Sequence, residues 1–215
     1  MNFLSHGLRY LDRPYVVAGT AVPDWLTVVN RKIRVRSKHA EPFLTSVDEA
    51  TREIATGIMY HHRDDLWFHN SRLFNETMLQ FAVELRDQLP GDEGFRPSFV
   101  GHILVEILMD ATILARDPSA GERYYAAIES ISAVKVQSVV NQFAKTQTVM
   151  LAPLISRFAN ARFLYDYLED DKLLMRLNQV MVRVGLPVLP AELIPWLAEA
   201  RRVIESRCDA LLTPE

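Results

Sequence analysis

The sequence predicts an all-α fold in which about eight helices form a single bundle domain over residues 1–215. Three observations support this prediction. Good helix formers such as Leu, Ala, Glu and Arg are abundant, and no long alternating β-branched run occurs. Glycine accounts for only 8 of the 215 residues. About half of the residues, 49%, are hydrophobic, so the chain can fill a substantial core.

In the first half of the chain, cap residues and prolines define the elements. An apolar segment near the N-terminus is expected to turn at Pro23. The stretch "SVDE" reads as a capping box with Ser46 as its N-cap. The next helix is expected either to continue from the preceding one or to be kinked near Ser71. Ser98 is expected to cap the next helix after a loop at 89–97. The helices predicted here cover 1–12, 47–63, 65–88 and 98–116.

The second half of the chain is also punctuated by prolines. Pro153 is expected to start or kink a helix, and Pro187, Pro190 and Pro195 interrupt the connection to the last one. No internal repeat or low-complexity linker separates these segments. The helices predicted here lie near 121–134, 135–146, 147–168, 170–184 and 190–211.

Composition and missing motifs disfavour several classes of protein. The net charge of −3 argues against general nucleic-acid binding. No stretch of about 20 residues lacks charge, so no membrane span is predicted, and the opening residues are too short and interrupted for a signal peptide. The single cysteine, Cys208, fits a cytoplasmic location. The absence of Walker, GxGxxG, GxSxG and CxxC motifs disfavours nucleotide-loop enzymes, serine hydrolases and redox proteins.

The apolar helix "SFVGHILVEILMDATIL" carries His102, Glu106 and Asp110 at intervals of four residues. Residues spaced by four lie on one face of a helix, so these three side chains form a stripe. Burying two carboxylates without partners costs several kcal/mol each, as an order of magnitude. A metal ion is one partner that offsets this cost. A structural network with Arg52, Arg63 or Arg72 and a solvated face are the alternatives.

A second stripe, formed by His61, Asp65 and His69 in "GIMYHHRDDLWFHNSRLF", has the same spacing of four residues. Imidazole and carboxylate together suit divalent transition metals, and facing helices of a bundle can supply both. The sequence therefore predicts one or two ions of Mn, Fe or Zn. The expected direct ligands are His61, Asp65, His102 and Asp24. His6, His69, Glu106 and Asp110 are expected to bind a second ion or to orient the direct ligands.

Three segments resemble the bacterial acyl carrier protein phosphodiesterases, and the resemblance covers roughly residues 1–115. They are "MNFLSH", "VVAGTAVPDW" and "GIMYHHRDD", the last of which places His61, Arg63 and Asp65 on positions of the family motif. Other positions depart from the family. His69 replaces a second aspartate, His102 and Glu106 replace two aspartates, and Ile107 replaces the histidine that follows them.

This resemblance implies an all-α fold like that of the HD-domain phosphohydrolases. It also implies metal-dependent release of 4′-phosphopantetheine from acyl carrier protein, with manganese or a similar ion. Because carrier proteins are acidic, a basic run would serve as their docking surface, although the run also fits a solvated loop. The run consists of Arg31, Lys32, Arg34, Arg36 and Lys38. The exchanged ligand types are consistent with another metal or a related phosphoester.

The function predicted from the sequence is that of a metal-dependent phosphodiesterase or phosphohydrolase, since a metal site of this kind activates water for attack on phosphorus. Arg63 is expected to stabilise charge on the phosphoryl oxygens, and His62 to protonate the leaving oxygen. The main alternative is a non-catalytic helical binding or scaffold protein with a structural metal or a buried ion network. A metal hydrolase or oxygenase with non-phosphate chemistry is a third interpretation.

Overall fold

Helices make up every regular element of the computed structural model, which describes residues 1–89, 91 and 94–214. The all-α prediction is therefore confirmed for the described residues, in which eleven α-helices are found rather than about eight. They are α1 Phe3–Gly7, α2 Pro14–Val29, α3 Ser37–Ala40, α4 Glu49–Asn70, α5 Arg72–Gln88, α6 Pro97–Arg116, α7 Pro118–Ser130, α8 Ala133–Phe143, α9 Leu151–Ala161, α10 Asp170–Val184 and α11 Ile194–Leu211. Short 3-10 helices cover Leu8–Tyr10, Glu41–Phe43, Phe163–Leu168 and Ala191–Leu193. The predicted loop at 89–97 lies partly outside the described residues.

The contacts of the chain cluster in two compact units, each built from separate segments of sequence. Unit 1 contains Met1, Phe3–Leu66 and Ser119–Arg162. Unit 2 contains Asn2, Trp67–Pro118 and the residues from Phe163 onward. The division of residues 1–215 into a single domain stays a prediction.

In unit 1, α2 and α4 cross at a pair of glycines. A Cβ atom added to Gly19 would lie 2.5 Å from the carbonyl oxygen of Ile54, and one added to Gly57 would clash with the carbonyl oxygen of Val16. Because neither residue has a Cβ, the two backbones can approach closely. This crossing sets the position of the histidine and carboxylate side chains on α4 relative to the backbone of α2.

The predicted turn at Pro23 is wrong, because α2 continues through this residue to Val29. An internal proline removes one helical hydrogen bond and costs about 3 kcal/mol or more. Here Val22, Trp25 and Leu26 are each no more than 1% exposed. Burying such side chains contributes about 1.5–3 kcal/mol each, which offsets the proline.

The helix α4 begins and ends at polar caps. The predicted N-cap Ser46 is wrong: Asp48 Oδ2 accepts the backbone N–H of Thr51 at 2.9 Å, and the helix begins at Glu49. Of the two alternatives predicted for the next helix, the first holds at residues 63–65, through which α4 is continuous. At Ser71 the chain breaks between two helices, and Ser71 Oγ accepts the N–H of Phe74 at the start of α5. The 22-residue α4 therefore replaces the helix predicted over 47–63 and takes in the first part of the one predicted over 65–88.

In unit 2, α5 packs along α6. A Cβ atom on Gly101 would lie 2.7 Å from the carbonyl oxygen of Met78, which shows how close the two backbones are. The predicted cap Ser98 is wrong, because Pro97 already occupies the first turn and Arg96 precedes it with a φ of 51°. Proline suits this first turn, where its missing N–H costs nothing.

By length and composition, α6 is the one helix of the described residues that could span a membrane. Its mean hydropathy over an 18-residue window is 1.6, and 67% of that window is buried within the protein. A buried core helix meets the same criteria, and α6 packs on α5, α11 and Phe163–Leu168. The absence of a membrane span stays a prediction.

The helices of the second half differ from the predicted ones mainly at their ends. The segment predicted over 147–168 divides into α9 and a 3-10 helix, because Arg162 adopts a left-handed conformation with a φ of 43°. Pro153 lies in the first turn of α9, as predicted. The helix over 170–184 is confirmed residue for residue in α10, and Gly185 ends it with a φ of 76°.

Candidate metal centres

Asp65 lies between two buried histidines in unit 1. Its Oδ1 is 3.1 Å from His6 Nε2, and its Oδ2 is 3.2 Å from His61 Nε2. The N-terminal amine of Met1 donates to Asp65 Oδ1 at 3.0 Å. His6, His61 and Asp65 each offer one ligand atom within 4.8 Å of the others, so this set, termed the buried group, can hold a metal ion.

The orientation of His61 follows from the crossing of α2 and α4. Its Nδ1 donates to the backbone carbonyl oxygen of Thr20 at 2.9 Å, because a carbonyl can only accept. The remaining nitrogen, Nε2, faces Asp65 Oδ2: it donates to that carboxylate when protonated and offers a lone pair to a metal ion when neutral. A hydrogen bond of this kind to a backbone carbonyl typically fixes the tautomer of a metal-binding histidine.

His6 is buried without a hydrogen bond. Neither of its ring nitrogens makes one to the described residues, although Nε2 is close to Asp65. The residue His6 is 1% exposed, and its ring stacks on that of His61 with the centroids 4.3 Å apart. A buried polar group without a partner costs about 1–3 kcal/mol. A metal ion bound by a ring nitrogen would satisfy this residue.

The charges of the buried group suit a cation. Burial and the neighbouring His61 lower the pKa of His6 to about 3, so its imidazole is neutral and can bind a metal. Burial opposes ionisation of Asp65, yet the adjacent His6 and His61 and the amine of Met1 hold its pKa well below the ordinary range. Burial disfavours protonation of His61, but Asp65 and Asp24 outweigh it and raise the pKa of His61.

A cavity of about 550 Å³ opens beside the buried group in unit 1. His61, Asp65 and Asp24 line one part of it. Part of the basic run lines another part of the cavity. The lining residues there are termed the basic lip and are Arg34, Arg36, Ser37 and Lys38. The cavity is termed the basic pocket.

The basic lip is held by alternating side chains and by His62. Ile33 and Val35 are buried at 4% and 2% exposure, whereas Arg34 and Arg36 between and after them are exposed. His62 Nε2 donates to the backbone carbonyl oxygen of Val35 at 2.8 Å. The extended backbone therefore directs its apolar residues inward and its cationic residues to the pocket.

The two predicted catalytic residues have different surroundings. His62 lines the basic pocket, and burial lowers its pKa. Arg63 binds Asp64 Oδ1 through Nε at 2.9 Å, and its guanidinium lies over the ring of Tyr60 at 4.5 Å. Arg63 is not among the described residues that line the basic pocket. Both catalytic roles stay predictions.

A second set of ligands converges in unit 2, formed by His69, His102 and Glu106 and termed the half-exposed group. Glu106 Oε1 is 2.9 Å from His69 Nε2 and 3.4 Å from His102 Nε2. Burial disfavours ionisation of Glu106, but its contacts with His102 and His69 contribute to a pKa below the ordinary range. This group can also hold a metal ion.

Six of the eight predicted metal ligands thus lie in two groups of three. Asp24 lines the basic pocket beside the buried group, and Asp110 is fully buried in α6 one turn beyond Glu106. Neither belongs to a group among the described residues. The predicted arginine network is not formed by Arg52 and Arg63: the first donates to the carbonyl oxygen of Ser46, the second to Asp64.

Several features of the site were not predicted from the sequence. The carbonyl oxygen of Thr20 and the contact of His62 with Val35 involve backbone atoms, which residue types do not reveal. Two signals do exist in the sequence. Gly19 and Gly57 permit the helix crossing, and the alternation of apolar and basic residues at 33–36 indicates an extended segment with one buried side.

Comparison with known proteins identifies no relative: no protein-family model, curated protein or solved structure matches this chain. The resemblance to acyl carrier protein phosphodiesterases and to HD-domain folds therefore stays a prediction.

Proposed function

We propose that this protein is a metal-dependent phosphoester hydrolase that acts at the buried group and the basic pocket. One observation carries the proposal: the 2-His-1-carboxylate set formed by His6, His61 and Asp65 adjoins a pocket lined by Arg34, Arg36 and Lys38. Cation-binding and anion-binding residues therefore lie side by side, as hydrolysis of a phosphoester requires.

The residues of the buried group fit a divalent ion. Two imidazole nitrogens and a carboxylate are the ligands that zinc and other first-row ions take in hydrolytic sites. The side chain of Asp65 is 28% exposed, so the site is open on the pocket side. A bound ion of this class would lower the pKa of water and polarise phosphoryl oxygens. Mn, Fe and Zn all suit this ligand set.

The basic lip supplies the substrate contacts in this proposal. Guanidinium groups match the geometry of phosphoryl oxygens and can bind them in pairs, so Arg34 and Arg36 are the stronger candidates than Lys38. Ser37 adds a hydroxyl at the same lining. A volume of about 550 Å³ is within the range of small-molecule sites, so the pocket accepts a phosphoester with its substituent.

We further propose that the substrate is the 4′-phosphopantetheine ester of an acidic acyl carrier protein, or a related phosphoester. Arg31, Lys32, Arg34, Arg36 and Lys38 are all exposed, which gives an acidic partner a continuous cationic segment to dock on. Docking of this kind acts mainly through association rate and is weakened by salt. A cytoplasmic location is part of the same proposal.

Hydrolysis of bis(p-nitrophenyl) phosphate and of holo acyl carrier protein, with defined Mn²⁺, Fe²⁺ or Zn²⁺, tests the proposal. We expect turnover that a chelator abolishes and that falls at least 100-fold in Asp65→Asn, since a metal ligand is lost. Asp12→Asn is the matched control because Asp12 is an exposed carboxylate of unit 1. No metal-dependent turnover of either substrate, or equal turnover in Asp65→Asn, would contradict it.

A non-catalytic binding or scaffold protein is the second candidate. The observation that favours it is that Glu106 Oε1 already contacts both His69 and His102. These three candidate ligands can therefore form an ion network without a metal. A structural metal site is closed to water, whereas a catalytic one keeps a position open. Binding of inorganic phosphate or vanadate to the metal-loaded protein separates the two candidates.

A further inference from the structure

The half-exposed group belongs to unit 2, whereas the buried group belongs to unit 1. We propose that His69, His102 and Glu106 form a second, independent metal site that takes one zinc-class divalent ion. In this site the ion would join the last turn of α4 to the middle of α6. The proposal does not depend on hydrolytic activity.

The three ligand atoms lie within 4.8 Å of one another, and two of their three separations are close to those around a metal ion. Ligand atoms about 2.0–2.1 Å from a tetrahedral zinc ion lie about 3.3–3.4 Å from each other. Glu106 Oε1 is 2.9 Å from His69 Nε2 and 3.4 Å from His102 Nε2. Small rotations of these side chains are therefore enough to bring all three atoms to bonding distance of one ion.

Two helices hold the ligands in place. His102 and Glu106 are one turn apart on α6, and His69 lies in the last turn of α4, just before Ser71 starts the cap of α5. Ligands at positions i and i+4 of one helix share a face. A third ligand from another helix completes a set that does not depend on loops.

Aromatic rings fix the two imidazoles. The ring of Phe74 lies 5.0 Å from that of His102 and 5.1 Å from that of His69, and Phe68 lies 5.5 Å from His69. The rings of His69 and His102 are themselves 4.7 Å apart. An apolar wall around a metal site limits ligand movement and solvent access on that side.

The opposite side of this group is open to solvent. The side chains of His69 and His102 are 32% and 33% exposed, whereas that of His6 in the buried group is 0% exposed. An ion in the half-exposed group can therefore enter directly and keep solvent ligands in its remaining positions. We expect it to exchange with a chelator faster than an ion in the buried group.

The ligand chemistry selects the class of ion. Two nitrogens and one oxygen disfavour Mg²⁺ and Ca²⁺, which require oxygen ligands. Among divalent first-row ions the affinity of nitrogen and oxygen sites rises from Mn²⁺ to Cu²⁺ and falls again at Zn²⁺. Zn²⁺ is the natural probe, and Co²⁺ serves as its spectroscopic substitute.

Equilibrium dialysis of the chelator-treated full chain against Zn²⁺ tests this proposal. We expect two ions per wild-type chain, one per chain in His102→Ala and in Glu106→Gln, and one in Asp65→Asn. His39→Ala is the matched control and should retain two, because His39 belongs to neither group. Glu106→Gln preserves size and shape, so a normal far-UV circular dichroism spectrum shows that loss of the ion is not loss of fold.

Co²⁺ loading identifies the site that each variant removes. The visible spectrum of wild type minus that of Glu106→Gln should contain the bands of Co²⁺ in the half-exposed group. The spectrum of Asp65→Asn should retain these same bands. Equal zinc content in wild type and in both unit 2 variants would overturn the proposal, and so would loss of a single shared ion in the variants of both groups. Since zinc content and Co²⁺ spectra are the readouts, the absence of phosphoester hydrolysis leaves this result interpretable.

Discussion

His61 donates its Nδ1 hydrogen to the carbonyl oxygen of Thr20 at 2.9 Å, and this contact orients Nε2 towards Asp65. The contact exists because α2 and α4 cross at Gly19 and Gly57. A candidate metal ligand on one helix is thus aligned by the backbone of another. The geometry of the buried group therefore depends on the helix crossing.

Gly57→Ala should separate α2 from α4 and so disturb the buried group. The added methyl group would clash with the carbonyl oxygen of Val16, so the helices must separate. We expect a loss of about 1–3 kcal/mol in the free energy of unfolding, as for overpacked cores, and a lower metal affinity of the buried group. Urea unfolding and metal titration measure the two effects. Gly185→Asn, at an open C-cap, is the control, and unchanged metal affinity in Gly57→Ala would refute the coupling.

His6 should make the metal-free protein sensitive to acid. The pKa of His6 is about 3 in the folded chain and 6.5 as its ordinary value, so the unfolded chain binds this proton first. Stability from this residue is complete above pH 6.5 and falls by about 1.4 kcal/mol per pH unit as pH drops from 6.5 towards 3. His6→Gln should flatten that slope in denaturant titrations between pH 4 and 6.5. An identical slope in the variant and the wild type would contradict the burial of a neutral His6.

Substitutions in the two parts of the basic run, the pocket-lining part and the part outside the pocket, should have different effects on kcat/KM. Arg34 and Arg36 line the pocket, so Arg36→Ala should lower kcat/KM about 10- to 100-fold for both a small diester and a carrier protein. Arg31 and Lys32 are exposed and absent from the pocket lining of the described residues, so their charge reversal should affect only the acidic carrier. A salt series measures the docking component. Equal losses on both substrates after reversal of Arg31 and Lys32 would remove the docking proposal.

His62 is expected to position the basic lip for substrate binding rather than to transfer a proton. Its hydrogen bond to the carbonyl oxygen of Val35 holds the basic lip, so His62→Ala should raise KM more than it lowers kcat. His62→Gln, which retains an N–H donor, should recover part of the loss. If instead His62 protonates the leaving oxygen, as the sequence also predicts, kcat falls in both variants and the alkaline limb of the pH profile moves. The split between kcat and KM decides between the two roles.

The elements that were predicted well are those with local signals. The helix α10 has such signals in its apolar spacing and in Gly185 at its end, and Ser71 is a cap residue at the break between α4 and α5. Pro23 and Ser46 were misread because burial of α2 and a competing carboxylate at Asp48 decide these positions. Burial of α2 is a tertiary effect without a local signature, whereas Asp48 lies in the same four-residue stretch as Ser46 and competes with it locally.

The candidate site was predictable as a set of residues but not as an arrangement. The spacing of four residues identifies His61, Asp65 and His69 as one stripe on α4, and they do lie on one continuous helix. The stripe is nevertheless divided, because His6 joins the first two and the α6 ligands join His69. Spacing along one helix does not specify which other segment supplies the next ligand.

We propose above that His6, His61 and Asp65 bind the catalytic metal beside the basic pocket. An anomalous-scattering map from crystals of the full chain grown with Mn²⁺ or Zn²⁺ tests it most directly. We predict a peak within bonding distance of His61 Nε2, an Asp65 carboxylate oxygen and a ring nitrogen of His6, with an open position facing Arg34 and Arg36. A map without anomalous density at these three side chains, from protein soaked in excess metal, would contradict the claim.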